Sequence, residues 1–375
     1  MSHPDGIQRR RNCIYRPYAR VNAVSIDDWS RPVWGVILCL VAAFAVAPVL
    51  LSHDVYSYVD YARLGVAHGL NPYVHSPAAA PFDPAYARVT WIDVTSAYGP
   101  LFTLATYPLA WLPVAVAVAA LKATAALSVL GIAVLVARLA PSRGVAPLPA
   151  AAFVALNPLV LLHVVGGAHN DSLALLVAMA GVAAMLSARE AIGGAALAAA
   201  IAIKASTAVI APFALLSTLP TGLRRLHGRR LRPVGRLLLG GTVAALAIGG
   251  AAYATFGWHW LHGLELVGRH QHKTTHLSIP TTFARLTGLD ATTVRVAALA
   301  IYAALFIYLL AWTWRGNDWL RAAAWASLAL LLATAWLLPW YLIWALPLVA
   351  LSRDRPLQLL TLALTVDQLP ARLPL

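Results

Sequence analysis

The sequence predicts an all-α, polytopic transmembrane protein with about 10–11 membrane segments. Composition is the first observation: 60% of the 375 residues are hydrophobic and only 11% are charged, against roughly 45–50% and about 25% in soluble domains. The second is a mean hydropathy of +0.72. The third is the recurrence of apolar runs of roughly 20 residues, the length that crosses a hydrocarbon core. These runs divide the chain into a cytoplasmic tail, 1–31, and a single membrane domain, 32–375, with 52–97 and 257–290 as first and second external loops.

The first span, Val33 to Leu51, follows Ser30-Arg31-Pro32, a capping residue with proline in the first helical turn. It exceeds the 7–15 residues of a signal-peptide core, so an uncleaved helix with a cytoplasmic N-terminus is expected. Arginines cluster at Arg9-Arg10-Arg11 and between Arg224 and Arg236, beside apolar spans. A positive-inside bias produces this pattern. It also accounts for the net charge of +14, so nucleic acid is not an expected partner. The same bias places 52–97, 166–171, 257–290 and Pro339-Trp340-Tyr341 together outside a plasma membrane. For Arg138 to stay inside, one of 98–113 and 114–138 is re-entrant; the short 98–113, with Pro100, Pro108 and Pro113, is favoured, and 190–217 is then two half-helices broken near Lys204. Cys13 and Cys39 form no disulfide framework.

The first external loop opens with a helical pattern. Val55, Val59, Ala62 and Val66 form one stripe; Tyr56, Asp60 and Arg63 form another. Such a helix lies in the membrane interface, apolar face toward lipid or core, and its Asp60 and Arg63 can pair at i, i+3. Asp54 stands at the helix start, where a carboxylate caps free N–H groups. Asp54 and Asp60 lie about 120° apart around the axis, so they do not share a metal ion. Gly69 and Pro72 end the helix at Asn71-Pro72-Tyr73, and Pro100 in Tyr98-Gly99-Pro100-Leu101 opens the next one.

Asp54-x-Tyr56-x-Tyr58, the helix with Arg63, Gly69-x-Asn71-Pro72-Tyr73 and Tyr98-Gly99-Pro100-Leu101 are followed by further motifs. These are Asn157-Pro158-Leu159, Gly167-Ala168-His169-Asn170-Asp171, Ile203-Lys204 and the run from Pro339-Trp340-Tyr341 to Pro347. In this order they resemble the polyprenol-phosphomannose-dependent α-1,6-mannosyltransferases, actinobacterial integral-membrane enzymes with the GT-C glycosyltransferase fold. The resemblance implies that Asp54 is the general base of an inverting transfer, taking the proton of an acceptor hydroxyl as that oxygen attacks the sugar's C1. It implies a polyprenyl-phosphomannose donor and a glycan or lipoglycan acceptor. The candidate substrate-binding residues are then Tyr56, Tyr58, Asp60, Arg63, Asn71, Tyr73, Tyr98, His169, Asn170, Asp171, Trp340 and Tyr341.

Several of these residues also carry plainer readings. Asn170 or Asp171 suits a helix cap, and Trp340 and Tyr341 stand with Trp258, Trp260, Trp336 and Trp344 in what an interfacial aromatic belt would look like. Lys204 either snorkels or contacts phosphate or sugar; Lys122, near the start of its span, is expected to snorkel. Arg269 and Lys273, at i and i+4, are candidates to hold the polyprenyl phosphate, whose negative charge grows as the sugar leaves. His270, His272 and His276 match no zinc spacing, and no metal or other cofactor is expected. Two alternatives stay open: a transporter or flippase of a lipid-linked sugar, and a GT-C enzyme using another polyprenyl-phosphate sugar.

Overall fold

The computed structural model describes residues 30–219, 231–270 and 273–371. Most of the proposed tail therefore lies outside the described residues. Among those that are described there are helices and no strand. Among the described residues three helices are long and apolar enough to cross a membrane: Val114–Arg143, Arg232–Leu266 and Ala291–Trp314. The last two turn large apolar side chains such as Leu239, Leu246, Ile301 and Ile307 to the outside. Lipid-facing helices carry such an exterior, whereas a soluble surface does not. The protein is a helical membrane protein.

The core gathers α4 (Val114–Leu139), α6 (Asp171–Leu186), α7 (Glu190–Ile203) and α13 (Trp319–Ala333), within the longer series α1 (Ser30–Val46), α2 (Asp54–Val66), α3 (Pro100–Thr106), α5 (Pro147–Ala155), α8 (Ala211–Ser217), α9 (Arg232–Phe256), α10 (His262–His270), α11 (Ile279–Thr287), α12 (Ala291–Trp314), α14 (Leu346–Leu351) and α15 (Arg355–Gln368). Helix α9 lies close against α7 through small residues. A Cβ on Gly240 would sit 1.9 Å from the Ala191 carbonyl oxygen, so the backbones touch as in other small-residue membrane contacts.

Several apolar runs that read as single spans are broken. The 98–113 segment is α3, a 3₁₀ turn over Tyr107–Trp111 and an extended Pro113. Its seven α-helical residues reach only about 10 Å, too short to cross. The 190–217 run stops at Ile203; Lys204 is extended (φ −152°, ψ 121°), and a 3₁₀ turn leads into α8. The 147–165 run is interrupted at Asn157-Pro158, where the Asn157 amide donates to Thr365 Oγ1 at 3.0 Å and its carbonyl oxygen caps the Leu159 amide. It resumes as a π-helix over Val160–Val165. The late Trp-Tyr run is a 3₁₀ turn, Pro339–Trp344, followed by α14. Interrupted helices of this kind are tolerated where protein or a cavity surrounds them.

Helix α2 forms where its two stripes place it, but most of its circumference is enclosed. Val55, Val59 and Ala62 are buried, and so are Tyr58, Asp60 and Tyr61. The expected Asp60–Arg63 pair does not form. Arg63 Nε instead reaches both carboxylate oxygens of Asp83 at 2.9 Å, and its Nη1 donates to the Ala110 carbonyl. The guanidinium thus shares its Nε–H between both oxygens of one carboxylate and gives Nη1 to a backbone carbonyl, partners that lie off its own helix.

Lys122 does not snorkel. It is buried, and its ammonium donates to the carbonyls of Ala47 (2.6 Å), Pro48 (3.0 Å) and Gly166 (3.2 Å). The Leu50 amide also bonds the Gly166 carbonyl, at 3.1 Å. Lys122 thereby joins the end of α1 to the end of the π-helix. Beyond each of these ends a non-glycine residue adopts left-handed backbone: Leu51 (φ 58°) before Asp54, and Ala168 (φ 55°) before His169. Such conformations cost on the order of 1–3 kcal/mol each and concentrate at functional sites.

Candidate active site

The broken helices meet at Asp54. It is the first residue of α2; the capping position is His53, which makes no side-chain capping bond. The Asp54 carboxylate accepts a hydrogen bond from the Trp91 indole N–H at 3.1 Å, and its other oxygen lies 3.8 Å from His169 Nδ1. His169 is stacked on Trp340, with ring centroids 3.8 Å apart. Two residues on, Asp171 begins α6. Its two oxygens are taken by Lys204 Nζ and by the Trp344 indole N–H, both at 2.6 Å. Lys204 also donates to Asn170 Oδ1 at 3.3 Å and stands 5.6 Å from the Tyr341 ring centre. Tyr341 in turn stacks on Trp344 at 4.1 Å. The helix break at Lys204 is what frees its side chain to point along this junction.

Exposure separates these groups by what they can do. Asp54 keeps 17% of its side chain accessible and Lys204 keeps 19%, while His169 and Asp171 are at 0%. Asp54 and Lys204 are therefore reachable from outside the fold, and His169 and Asp171 stand behind them. Lys273 adds a second cation. Its ammonium lies 4.7 Å from the Trp91 ring centre and 5.5 Å from that of Trp336, the geometry of a cation held on aromatic faces. Tyr58 closes one side, meeting Tyr98 and Phe102 edge to face at 4.7 and 5.0 Å. Burial, then the charges of Asp54 and Asp171, push its hydroxyl well above the ordinary phenol range, so it remains neutral.

Other sequence candidates lie in the scaffold. The Asn71 amide donates to the Phe256 carbonyl at 2.8 Å and its oxygen accepts from the Tyr73 amide. The Tyr73 hydroxyl bonds the Tyr98 carbonyl and Thr103. Together they fasten the 52–97 loop to the end of α9 and to α3. Gly99 is required here: a Cβ would fall 2.0 Å from the Ala202 carbonyl oxygen, at the foot of the Lys204 break. Tyr56 faces the loop, edge to face with His53 and 5.5 Å below the Arg88 guanidinium. The Arg269, His270 and His272 side chains lie outside the described residues, and His276 contacts Arg285. Among the described residues no three His, Cys, Asp or Glu side chains are grouped to hold a metal ion.

Asp60 and Arg63 belong to a second cluster. For Asp83, burial alone would raise the carboxyl, but hydrogen bonds from Arg63, the Ala85 amide and His68 hold it below the usual carboxylate range. Asp60 is 1% exposed, and neither of its oxygens has a hydrogen-bond partner among the described residues. Burial first, then Asp83, push it up from 3.8 to about 7 against the pull of His68 and Arg63. A carboxyl raised on folding contributes fully below its unfolded pKa, and that contribution is lost as pH rises through the folded value. For Asp60 the window is 3.8 to about 7. The Asp60→Asn protein is expected to melt above wild type at about pH 8 and to lose that advantage at about pH 4. Thermal midpoints across this range check it; parallel profiles would refute it.

The family description "alpha-(1->6)-mannopyranosyltransferase, N-terminal domain" matches residues 15–220, more than half of the chain. The chain belongs to this mannopyranosyltransferase family. It is 31% identical over 335 residues to alpha-(1->6)-mannopyranosyltransferase A of Mycobacterium tuberculosis, covering 81% of this chain and 63% of that protein. It is 30% identical over 185 residues to alpha-(1->6)-mannopyranosyltransferase A of Corynebacterium glutamicum, covering 47% of this chain and 37% of that protein. The chain thus spans less than two thirds of the length of these relatives. No solved structure matches it.

In this mannopyranosyltransferase-family chain the matched region carries Asp54, Trp91, His169, Asp171 and Lys204. The facing wall, Lys273 and Trp336 to Trp344, lies beyond it. Sequence reasoning missed Trp91, Trp344 and Lys122. Trp91 follows Pro77, Pro81 and Pro84 in a loop, with no spacing that marks it out. The Trp344 bond to Asp171 was hidden in an apparent aromatic belt.

Proposed function

We propose that the protein transfers mannose from a polyprenyl-phosphate-linked donor to a glycan or lipoglycan acceptor at the outer face of the plasma membrane, with inversion at C1. The observation that carries this reading is the convergence of one partly exposed carboxylate, Asp54, with Lys204 and Lys273 at a junction of broken helices, in a chain of this family. Asp54 takes the acceptor O–H proton as the acceptor oxygen forms its bond to C1. The C1–O bond to phosphate breaks, and its electron pair leaves with the polyprenyl phosphate. Negative charge therefore grows on the phosphate, where fixed cations stabilise the transition state most. Lys273, seated on ring faces, and Lys204, beside its Asp171 partner, are the cations for that role. The aromatic rings around them offer faces for sugar and prenyl chain.

Neither metal nor other cofactor takes part in this proposal, and the rate is expected to be unchanged by a chelator. The test uses membranes containing the full chain and radiolabelled polyprenyl-phosphate mannose. A new α-mannosidic product is the expected result. Label that crosses the bilayer without forming a glycosidic bond would overturn the proposal in favour of a flippase. Transfer only from a different polyprenyl-phosphate sugar would overturn the donor assignment.

A further inference from the structure

We propose that Trp91 is a positioning residue for the transfer, holding the Asp54 carboxylate in its reactive orientation through the indole N–H. This rests on the reading of Asp54 as the base. The geometry is specific. The indole Nε1 donates to Asp54 Oδ1 at 3.1 Å, while Oδ2 lies on the His169 side. One oxygen is thus engaged from the loop, and the carboxylate still has lone pairs for an acceptor hydroxyl. A directional bond to one oxygen helps set the plane of the carboxylate.

The segment bearing Trp91 is itself held firmly. The Ala78 amide donates to the Ile92 carbonyl at 2.9 Å. The Tyr61 hydroxyl of α2 donates to the Val94 carbonyl at 2.7 Å, and the Ser96 amide to the Pro72 carbonyl at 2.8 Å. Helix α2 therefore carries both the base and an anchor for the residue that orients it. The ring does a second job. Lys273 rests on its face at 4.7 Å and near Trp336 at 5.5 Å. The Lys273 segment is tied down in turn, with the Thr275 amide donating to the Ala335 carbonyl and Thr275 Oγ1 to the Leu337 carbonyl. One side chain thus sets the distance between the base and a phosphate-binding cation: its edge meets the carboxylate and its face meets the ammonium.

The two functions separate by substitution. Trp91→Phe keeps a ring face under Lys273 and deletes the N–H. The expected result is a fall of about 10- to 100-fold in kcat, the scale of a misplaced catalytic group, with KM for polyprenyl-phosphate mannose unchanged. Loss of a donor to the ionised carboxylate raises its pKa, so the acidic limb of the pH–rate profile is expected to move to higher pH. Trp91→Leu removes the face as well, and KM for the donor is expected to rise in addition. Trp91→His, which retains a ring N–H, is expected to recover part of the kcat lost in Trp91→Phe and keeps the proposal testable should the phenylalanine variant fail to fold. Wild-type kcat and an unmoved pH profile in Trp91→Phe, or no recovery in Trp91→His, would overturn it. Asp54→Asn measured in parallel separates the cases. If Asp54→Asn is inactive and Trp91→Phe is normal, only the Trp91 proposal fails. If Asp54→Asn remains active, the base assignment itself fails.

Discussion

Asp54→Asn is expected to lower kcat for mannose transfer by roughly 10²–10⁴-fold, the contribution of a positioned general base. The substitution is nearly isosteric, and the amide oxygen can still accept the Trp91 N–H that Asp54 accepts at 3.1 Å. Thermal stability is therefore expected to stay close to wild type, and donor binding, measured as KM, to change little. What the amide lacks is a site that takes a proton from an alcohol. Asp54→Glu keeps that site but moves it by one methylene, and should retain part of the rate. Incorporation of radiolabelled mannose from the polyprenyl-phosphate donor measures both variants. An Asn variant as fast as wild type would remove Asp54 from the mechanism.

The second large effect concerns Lys204 and Asp171. Asp171 is fully enclosed and held by Lys204 and the Trp344 indole, each at 2.6 Å. Lys204→Met leaves that carboxylate buried without its cation, a change that costs about 3–5 kcal/mol in comparable pairs. The single variant should lose both stability and transfer, and taken alone could not distinguish the two causes. Pairing Lys204→Met with Asp171→Leu removes the stranded charge. Replacing a buried pair with apolar side chains is often neutral or stabilising, so the double variant is expected to regain thermal stability. Transfer is expected to stay low, because the phosphate still lacks one of its cations. A double variant that recovers both would make this pair part of the scaffold alone.

Much of this site was legible as sequence because polar residues sat where apolar spans broke. His169-Asn170-Asp171 and Lys204 interrupt hydrophobic runs, and the structure brings them together with Asp54. The broken 190–217 run was legible from the topology that the basic residues impose, with Lys204 marking the place of the break. What escaped was the choice of partner among residues far apart in the chain. Helical spacing put Arg63 beside Asp60; the loop returning 20 residues later supplied Asp83, a better acceptor. Position near a span end suggested that Lys122 would snorkel, but carbonyls freed at the ends of α1 and the π-helix gave its ammonium partners inside. Tryptophans gave the weakest signal. A bilayer interface and a sugar site favour the same residue, and only three-dimensional proximity separates Trp91 and Trp344 from a belt.

The π-helix over Val160–Val165 gives the site a dependence on residue count. A π turn holds one residue more than an α turn. Removing a single residue there would relax the turn to α geometry with little change in facing, whereas adding one more would not be absorbed a second time and would swing everything after it by about 100°. His169 would leave the face of Trp340 although neither side chain had changed. In descendants of this chain, the apolar positions of Val160–Val165 can exchange among apolar residues, whereas a one-codon insertion there is expected to disable the site in one step.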